Sequence, residues 1–328
     1  MMRILVFRGG AIGDFLVTLP ALRLLRERWP EGRIELVGHA AAGALGVAAG
    51  ALDAVHSQHE ARWSAFFRDA PLPAELAAWL AEFDLVLNYW PDPDGALARH
   101  FPMRPGQQYL SAPAQPILAP AARHFCEPLR ALGLATSDFR PRLHLPSVTN
   151  LRPPTSNVGL PIAIHPGSGS PRKNWPVDHW TALCSRLPGP LLIVGGQADT
   201  AAVAALAGFG RTALNRHLPE LALELSRCRL FLGHDSGISH LAAAVGTPCV
   251  LLFGPTDPAM WAPQGEQVRI LRNGPAMDSI RVDDVRAAVS AWCDSASASP
   301  DSSPPGGTAT ASSPRPGRRN PPPPAGRP

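Results

Sequence analysis

The feature that most constrains the fold is an alternation of short apolar runs and helical periods that occurs twice. Ile4-Leu5-Val6-Phe7 opens the first block within a strand expected over 3–8, and Ile162–His165 opens the second. After each run comes a glycine-bearing loop, "RGGAIGD" at 8–14 and "HPGSGSPRK" at 165–173. In the first block, Phe15, Leu19, Leu22, Leu25 and Trp29 then recur at helical spacing, with Pro20 predicting a kink or a first turn near Thr18. Further strands are expected at Arg33–Val37, Ala54–Ser57 and Asp84–Asn88, with helices in the Ala-rich stretch between the first two and around Ala74–Ala81. Residues 89–120 are proline-rich and give no clear element, and Arg123–Leu134 reads as the last helix of the block.

The second block places strands at Leu191–Val194, Leu230–Gly233, Cys249–Phe253 and Val268–Leu271. Its helices are expected at Asp178–Leu187, Thr200–Leu206, Leu218–Cys228, Gly237–Val245 and from Val282 to Trp292. Two strand–helix alternations predict two doubly wound α/β domains, at 1–140 and 162–294, joined by a proline-rich linker at 141–161. From 295 to 328 the chain is Ser, Pro, Gly, Ala and Arg without hydrophobic period, which predicts a disordered tail.

Composition closes several functional classes. The formal charge is +4 and the arginines are scattered without an aromatic stripe, so nucleic acid is not an expected partner. The five cysteines (Cys126, Cys184, Cys228, Cys249, Cys293) have no paired spacing, which disfavours zinc and disulfides and fits a reducing compartment. The first apolar run is too short for a signal peptide or a membrane span, so the expected setting is the cytoplasm. Of 30 basic side chains one alone, Lys173, is a lysine, which removes any P-loop.

Three stretches lie at strand ends, where a doubly wound fold puts its chemistry. In "GGAIGD" the glycines allow backbone amides close to a ligand, although the G-x-G-x-x-G spacing of a dinucleotide site is absent. Asp14, taken alone, reads first as the cap of the following helix. In the second loop Ser168, Gly169 and Ser170 offer donors to phosphate, and Lys173 offers a compact positive charge. In "GHDSGISHLAAAVG", Ser236 and Gly237 leave free amides at a helix start, a ready anion site. Asp235 suits the hydroxyls of an attached sugar, and His240 lies one turn further on. The arrangement suits a phosphorylated donor on the second domain and an acceptor activated by the first.

The segments "ILVFRGGAIGDFLVTLPALRLLRERWP", "IHPGSGSPRKNWP" and "DSGISHLAAAVGTPCVLLFGPTDP", in that order, resemble glycosyltransferase family 9, the heptosyltransferase family. The resemblance implies a GT-B fold of two facing Rossmann-like domains. It implies inverting, metal-independent transfer from a nucleotide-diphosphate sugar, typically ADP-heptose, with no further cofactor. By the same resemblance Asp14 is the general base and Lys173 contacts the diphosphate. Asp235, Ser236 and Gly237 hold the donor sugar and phosphates with His240 beside them, Gly13 lines the donor, and Asp199 is the nearest match to the acid that holds the ribose. The implied acceptor is a glycan of lipopolysaccharide or a related surface glycan. A lipid-linked acceptor would bring the enzyme to the cytoplasmic face of the inner membrane.

The chain departs from the family after "DLVLNYWPDPDG", where an Asp-x-Gln-Gly-like segment is missing on the acceptor side. A family 9 transferase with another acceptor, such as a secondary metabolite, therefore stays open. So does a non-catalytic nucleotide-sugar-binding protein. A GT-B epimerase would need further acid/base groups, for which the sequence offers no clear candidates.

Overall fold

The computed structural model describes residues 1–145 and 159–297. Most of the expected linker and nearly all of the expected tail therefore lie outside the described residues. The first sheet has five parallel strands in the order β3-β2-β1-β4-β5: β1 Arg3–Arg8, β2 Arg33–Gly38, β3 Ala54–Ser57, β4 Leu85–Asn88 and β5 Gln108–Ser111. The second has six in the order β11-β10-β9-β6-β7-β8: β6 Ile162–Ile164, β7 Leu191–Gly195, β8 Arg211–Leu214, β9 Leu230–His234, β10 Cys249–Leu252 and β11 Val268–Leu271. Every pairing is parallel, with β1 between β2 and β4 (Ile4 opposite Ile34 and Leu85) and β6 between β7 and β9.

The central strands are continuous apolar runs because helices cover both of their faces. Ile4 to Phe7, Leu85 to Leu87 and Leu230 to Leu232 are all essentially inaccessible. In the first domain the covering helices are α1 Ile12–Leu16, α2 Leu19–Arg28, α3 Ala40–Ala48, α4 Ala74–Ala81, α5 Ala96–His100 and α6 Ala121–Cys126. In the second they are α7 Val177–Cys184, α8 Thr200–Leu206, α9 Leu218–Leu225, α10 Gly237–Ala244, α11 Pro258–Trp261 and α12 Val282–Ser297. The last of these runs through Ser297, so the helix enters the stretch expected to be disordered from 295.

The break expected near Pro20 is a full interruption. Helix α1 stops at Leu16, Thr18 takes the cap position of α2, and Pro20 stands within the first two positions of the new helix, where its missing amide costs nothing. One apolar cluster joins the two domains: Phe15, Leu22 and Leu45 of the first pack in the same core as Leu221, Leu225 and Leu241 of the second. Among the described residues no helix is long and apolar enough to cross a membrane.

A buried charge inside the first sheet sets an acid limit on the fold. Glu35 of β2, with its side chain 3% exposed, receives His56 Nε2 at 2.8 Å, Arg33 Nε at 2.7 Å and Arg3 Nη2 at 3.3 Å. Burial alone would raise its pKa, but the hydrogen bonds from His56 and Arg33 outweigh it and bring the pKa from 4.5 down to about 2. A depressed carboxylate stabilises the fold above its unfolded pKa and loses that contribution as pH falls through the folded one. The expected loss, on the order of 2 kcal/mol, falls between about pH 4.5 and pH 2. Urea melts across that range check it: Glu35→Gln should flatten the acid limb while lowering stability at neutral pH.

Candidate functional site

The site forms where the carboxyl ends of both sheets meet. At the end of β1, Arg8 is 4% exposed and its guanidinium lies over the Phe125 ring, 4.2 Å from the centroid. From there Nη2 donates to Asp14 Oδ1 at 2.9 Å and Nε to the Asp14 carbonyl at 3.0 Å. Asp14 is not the cap of α1, as its position first suggested. Ala11 holds the cap position, and Asp14 sits three residues in, where Oδ2 accepts the Ala11 amide at 2.8 Å. The loop between β1 and α1 needs glycine at position 10. Its φ is +98°, and a Cβ there would lie 2.4 Å from the Asp14 carboxylate. The Asp14 side chain keeps 33% of its surface exposed.

On the opposite wall, Lys173 ends a short 3-10 turn, Pro171–Lys173, and its Nζ lies 2.8 Å from Asp235 Oδ2 at the carboxyl end of β9. Two residues singled out separately in the sequence thus form one ion pair at the cleft. The loop carrying Lys173 is fastened at both ends by His234. The Trp175 amide can only donate, so it fixes Nε2 as the acceptor at 2.9 Å and leaves Nδ1–H to donate to the Gly167 carbonyl at 3.1 Å. Complete burial drives the His234 pKa down to about 3, so this ring stays neutral. Within the loop the Ser168 hydroxyl is turned inward, 2.7 Å from the Ser170 carbonyl and 2.6 Å from Asn174 Oδ1. Gly169 is left at the open tip.

Helix α10 starts at Gly237, with Ser236 as its cap: Ser236 Oγ accepts the Ser239 amide at 3.3 Å. This start abuts the start of α1. A Cβ built on Gly237 would lie 3.0 Å from the Gly13 nitrogen and 3.0 Å from Ile12 Cβ. A Cβ on Gly13 would lie 3.5 Å from the Gly237 Cα and 3.7 Å from His240 Cδ2. Gly237 is what lets the domains approach this closely, since a Cβ on Gly13 would make only ordinary van der Waals contact. His240 lies at this seam with Val17, Phe139 and Trp261, and burial holds its pKa down against the opposing pull of Asp235 and Asp14. Gly237→Ala is expected to overpack the seam by about 1–3 kcal/mol. The checks are a lower thermal midpoint and a larger radius of gyration in solution scattering; unchanged values of both would mean that the seam is loose.

The structure does not bring Asp199 to the cleft wall with the others. Its Oδ2 takes the Gly196 amide at 2.8 Å and His165 Nε2 at 3.2 Å, and its Oδ1 fills the space where a Cβ on Gly167 would be. Arg8, His165 and His234 are the participants that sequence reasoning passed over. All three stand at the carboxyl ends of central strands or one residue beyond, and that position is the signal that could have found them. Among the described residues, no three of His, Cys, Asp and Glu converge in a set that could hold a metal ion.

Residues 132–286 match the model of glycosyltransferase family 9 (heptosyltransferase). Lipopolysaccharide heptosyltransferase 2 of Escherichia coli (strain K12) is 29% identical over 124 residues, 34% of this chain and 36% of that protein. The chain thus spans about a third of the length of that relative. Lipopolysaccharide heptosyltransferase 1 of the same strain is 24% identical over 308 residues, 83% of this chain and 93% of that one. Among solved structures, the E. coli ADP-heptose lipopolysaccharide heptosyltransferase II superposes with a TM-score of 0.71 at 19% identity, over 90% of this chain and all of that one, which shows a shared GT-B fold. The motif-bearing strand ends, the family match and the fold agree: residues 132–286 are a glycosyltransferase family 9 region, and the chain shares the heptosyltransferase fold across both domains.

Proposed function

We propose that the protein transfers a sugar, heptose from ADP-heptose, onto a hydroxyl of a glycan acceptor, with inversion and without a metal ion or further cofactor. The observation that carries this reading is the seam at Gly13 and Gly237. It sets a carboxylate-bearing helix start on one domain against an amide-bearing helix start on the other, with the Lys173–Asp235 pair alongside. The donor identity draws support from the relatives, which are named as lipopolysaccharide heptosyltransferases, and from the superposed E. coli enzyme, which is named as an ADP-heptose heptosyltransferase.

In this reading Asp14 accepts the proton of the acceptor hydroxyl, for which the two must come within about 3 Å. The oxygen attacks the anomeric carbon on the face opposite the diphosphate. The old C–O bond breaks and its electron pair leaves with the diphosphate. That charge meets Lys173 and the Gly237 and Ile238 amides, donors already oriented before reaction. Asp235, held by Lys173 through one oxygen, keeps the other for a sugar hydroxyl. The acceptor belongs to lipopolysaccharide or a related surface glycan, and the reaction then takes place on the cytoplasmic side of the inner membrane.

One observation favours a second reading. Both Asp14 oxygens are engaged, by Arg8 and by the Ala11 amide, which also suits a nucleotide-sugar-binding protein that does no transfer. A single experiment separates the two: ADP-heptose with a panel of core-glycan acceptors and a water control, the product read by mass spectrometry and its anomeric configuration by NMR. An inverted heptoside supports the transferase. ADP-heptose binding with no product on any acceptor supports the binder, and no binding overturns the donor.

A further inference from the structure

A buried hydrogen-bonded chain runs beneath the site, from the loop after β7 to the start of α10. Asp199 Oδ2 lies 3.2 Å from His165 Nε2, and on the other side of the ring Nδ1 lies 3.3 Å from Ser236 Oγ. His165 is 3% exposed and Ser236 8%, and the Asp199 side chain is 10% exposed, so water does not compete for these bonds. Burial works against ionisation of Asp199, but the bonds from His165 and the Gly196 amide prevail and hold its pKa below the ordinary carboxylate value. An ionised carboxylate only accepts, so Nε2 carries the proton. In a neutral ring Nδ1 is then an acceptor, and the Ser236 hydroxyl donates to it.

The direction of that last bond matters for the helix start. With its proton committed to His165, Ser236 Oγ turns a lone pair to the Ser239 amide, 3.3 Å away, and closes the cap. The Ser239 hydroxyl donates to the His234 carbonyl, so its oxygen, 3.0 Å from Ser236 Oγ, is a competing acceptor for the Ser236 proton; donation to Nδ1 is favoured because it alone leaves no buried ring nitrogen without a donor. The amides of Gly237 and Ile238 are left without helix partners at the positive end of α10.

We propose that His165 is a positioning residue for the donor diphosphate, fixing the Ser236 hydroxyl so that the Gly237 and Ile238 amides face the ligand, with Asp199 acting through His165 rather than by direct contact. The proposal rests on the nucleotide-sugar reading of the cleft. It also assigns Asp199 a place that the ribose-holding role implied by the sequence does not, since Asp199 Oδ2 is used within the protein and Oδ1 packs against Gly167.

The test uses the full chain with ADP as the probe. In wild-type protein, two-dimensional imidazole ¹⁵N spectra should show His165 with Nε2 protonated and Nδ1 bare, and Ser236→Ala should shift the Nδ1 resonance. By calorimetry, His165→Leu and Ser236→Ala should each weaken ADP binding roughly tenfold, and the double variant should be no weaker than either single one. His165→Asn, which keeps an acceptor near the Nδ1 position, should recover most of the affinity. Multiplying effects in the double variant, a protonated Nδ1, or unchanged ADP affinity in a folded His165→Leu protein would each overturn the positioning role. Wild-type protein that binds no ADP would instead overturn the nucleotide-sugar reading, and the diphosphate role with it.

Discussion

Asp14→Asn is expected to lower kcat by about 10²–10⁴-fold while ADP-heptose still binds, because the change removes the proton acceptor. The amide keeps an oxygen that can accept the Ala11 amide, so the start of α1 should persist. What it loses is the negative charge opposite Arg8, which is 4% exposed and keeps only the carbonyls of Asp14 and Ala114 as acceptors. Unpairing a buried cation destabilises a fold, and the effect here is moderated because Asp14 is one-third exposed and water can reach Arg8 from that side. A fall in melting temperature with no loss of donor affinity would therefore accompany the fall in kcat. The measurement is kcat and the ADP dissociation constant of the same preparation. Loss of both together would assign Asp14 to folding of the cleft, and retention of kcat within about threefold would remove it from the chemistry.

How far the sequence shows this site depends on what each residue does. Central strands were legible because burial on both faces forces a continuous apolar run, as in "ILVF" and "LVL". Two edge strands, β5 "QYLS" and β8 "RTAL", were missed for the same physical reason: one side faces solvent, and the apolar run is broken by polar residues. The expected helix over Arg123–Leu134 also changes character. Helix α6 ends at Cys126 and the chain tightens into a 3-10 turn over Glu127–Leu132, with Pro128 at its start. At the site, Lys173 and Asp235 were singled out by residue type and position, while Asp14 read alone as a helix cap and was singled out by the family resemblance; the structure places all three in the segments that follow β1, β6 and β9. Those that hold them in place, Arg8, His165 and His234, act through contacts between strands far apart in the chain, and no local pattern records such contacts.

Lys173→Ala is expected to produce the second large loss, and by a different route. In the folded protein Nζ is the counter-charge of Asp235, whose side chain is 9% exposed. Truncation leaves that carboxylate unpaired beside the place assigned to the diphosphate, so the donor loses an attraction and gains a repulsion. Removing one oriented donor from a departing oxyanion costs about 3 kcal/mol, so kcat should fall roughly a hundredfold, with donor binding weakened as well. The repulsion can be removed separately. In Lys173→Ala/Asp235→Asn the stranded charge is gone, and ADP affinity should recover above that of Lys173→Ala while kcat stays low. Lys173→Arg keeps the charge on a broader head group, so it should bind ADP more tightly than the alanine variant but turn over more slowly than wild type. This order of ADP affinities, wild type above arginine above the double variant above alanine alone, is what a lysine acting on both Asp235 and the diphosphate requires. Equal affinities across the set would mean that the lysine serves Asp235 alone.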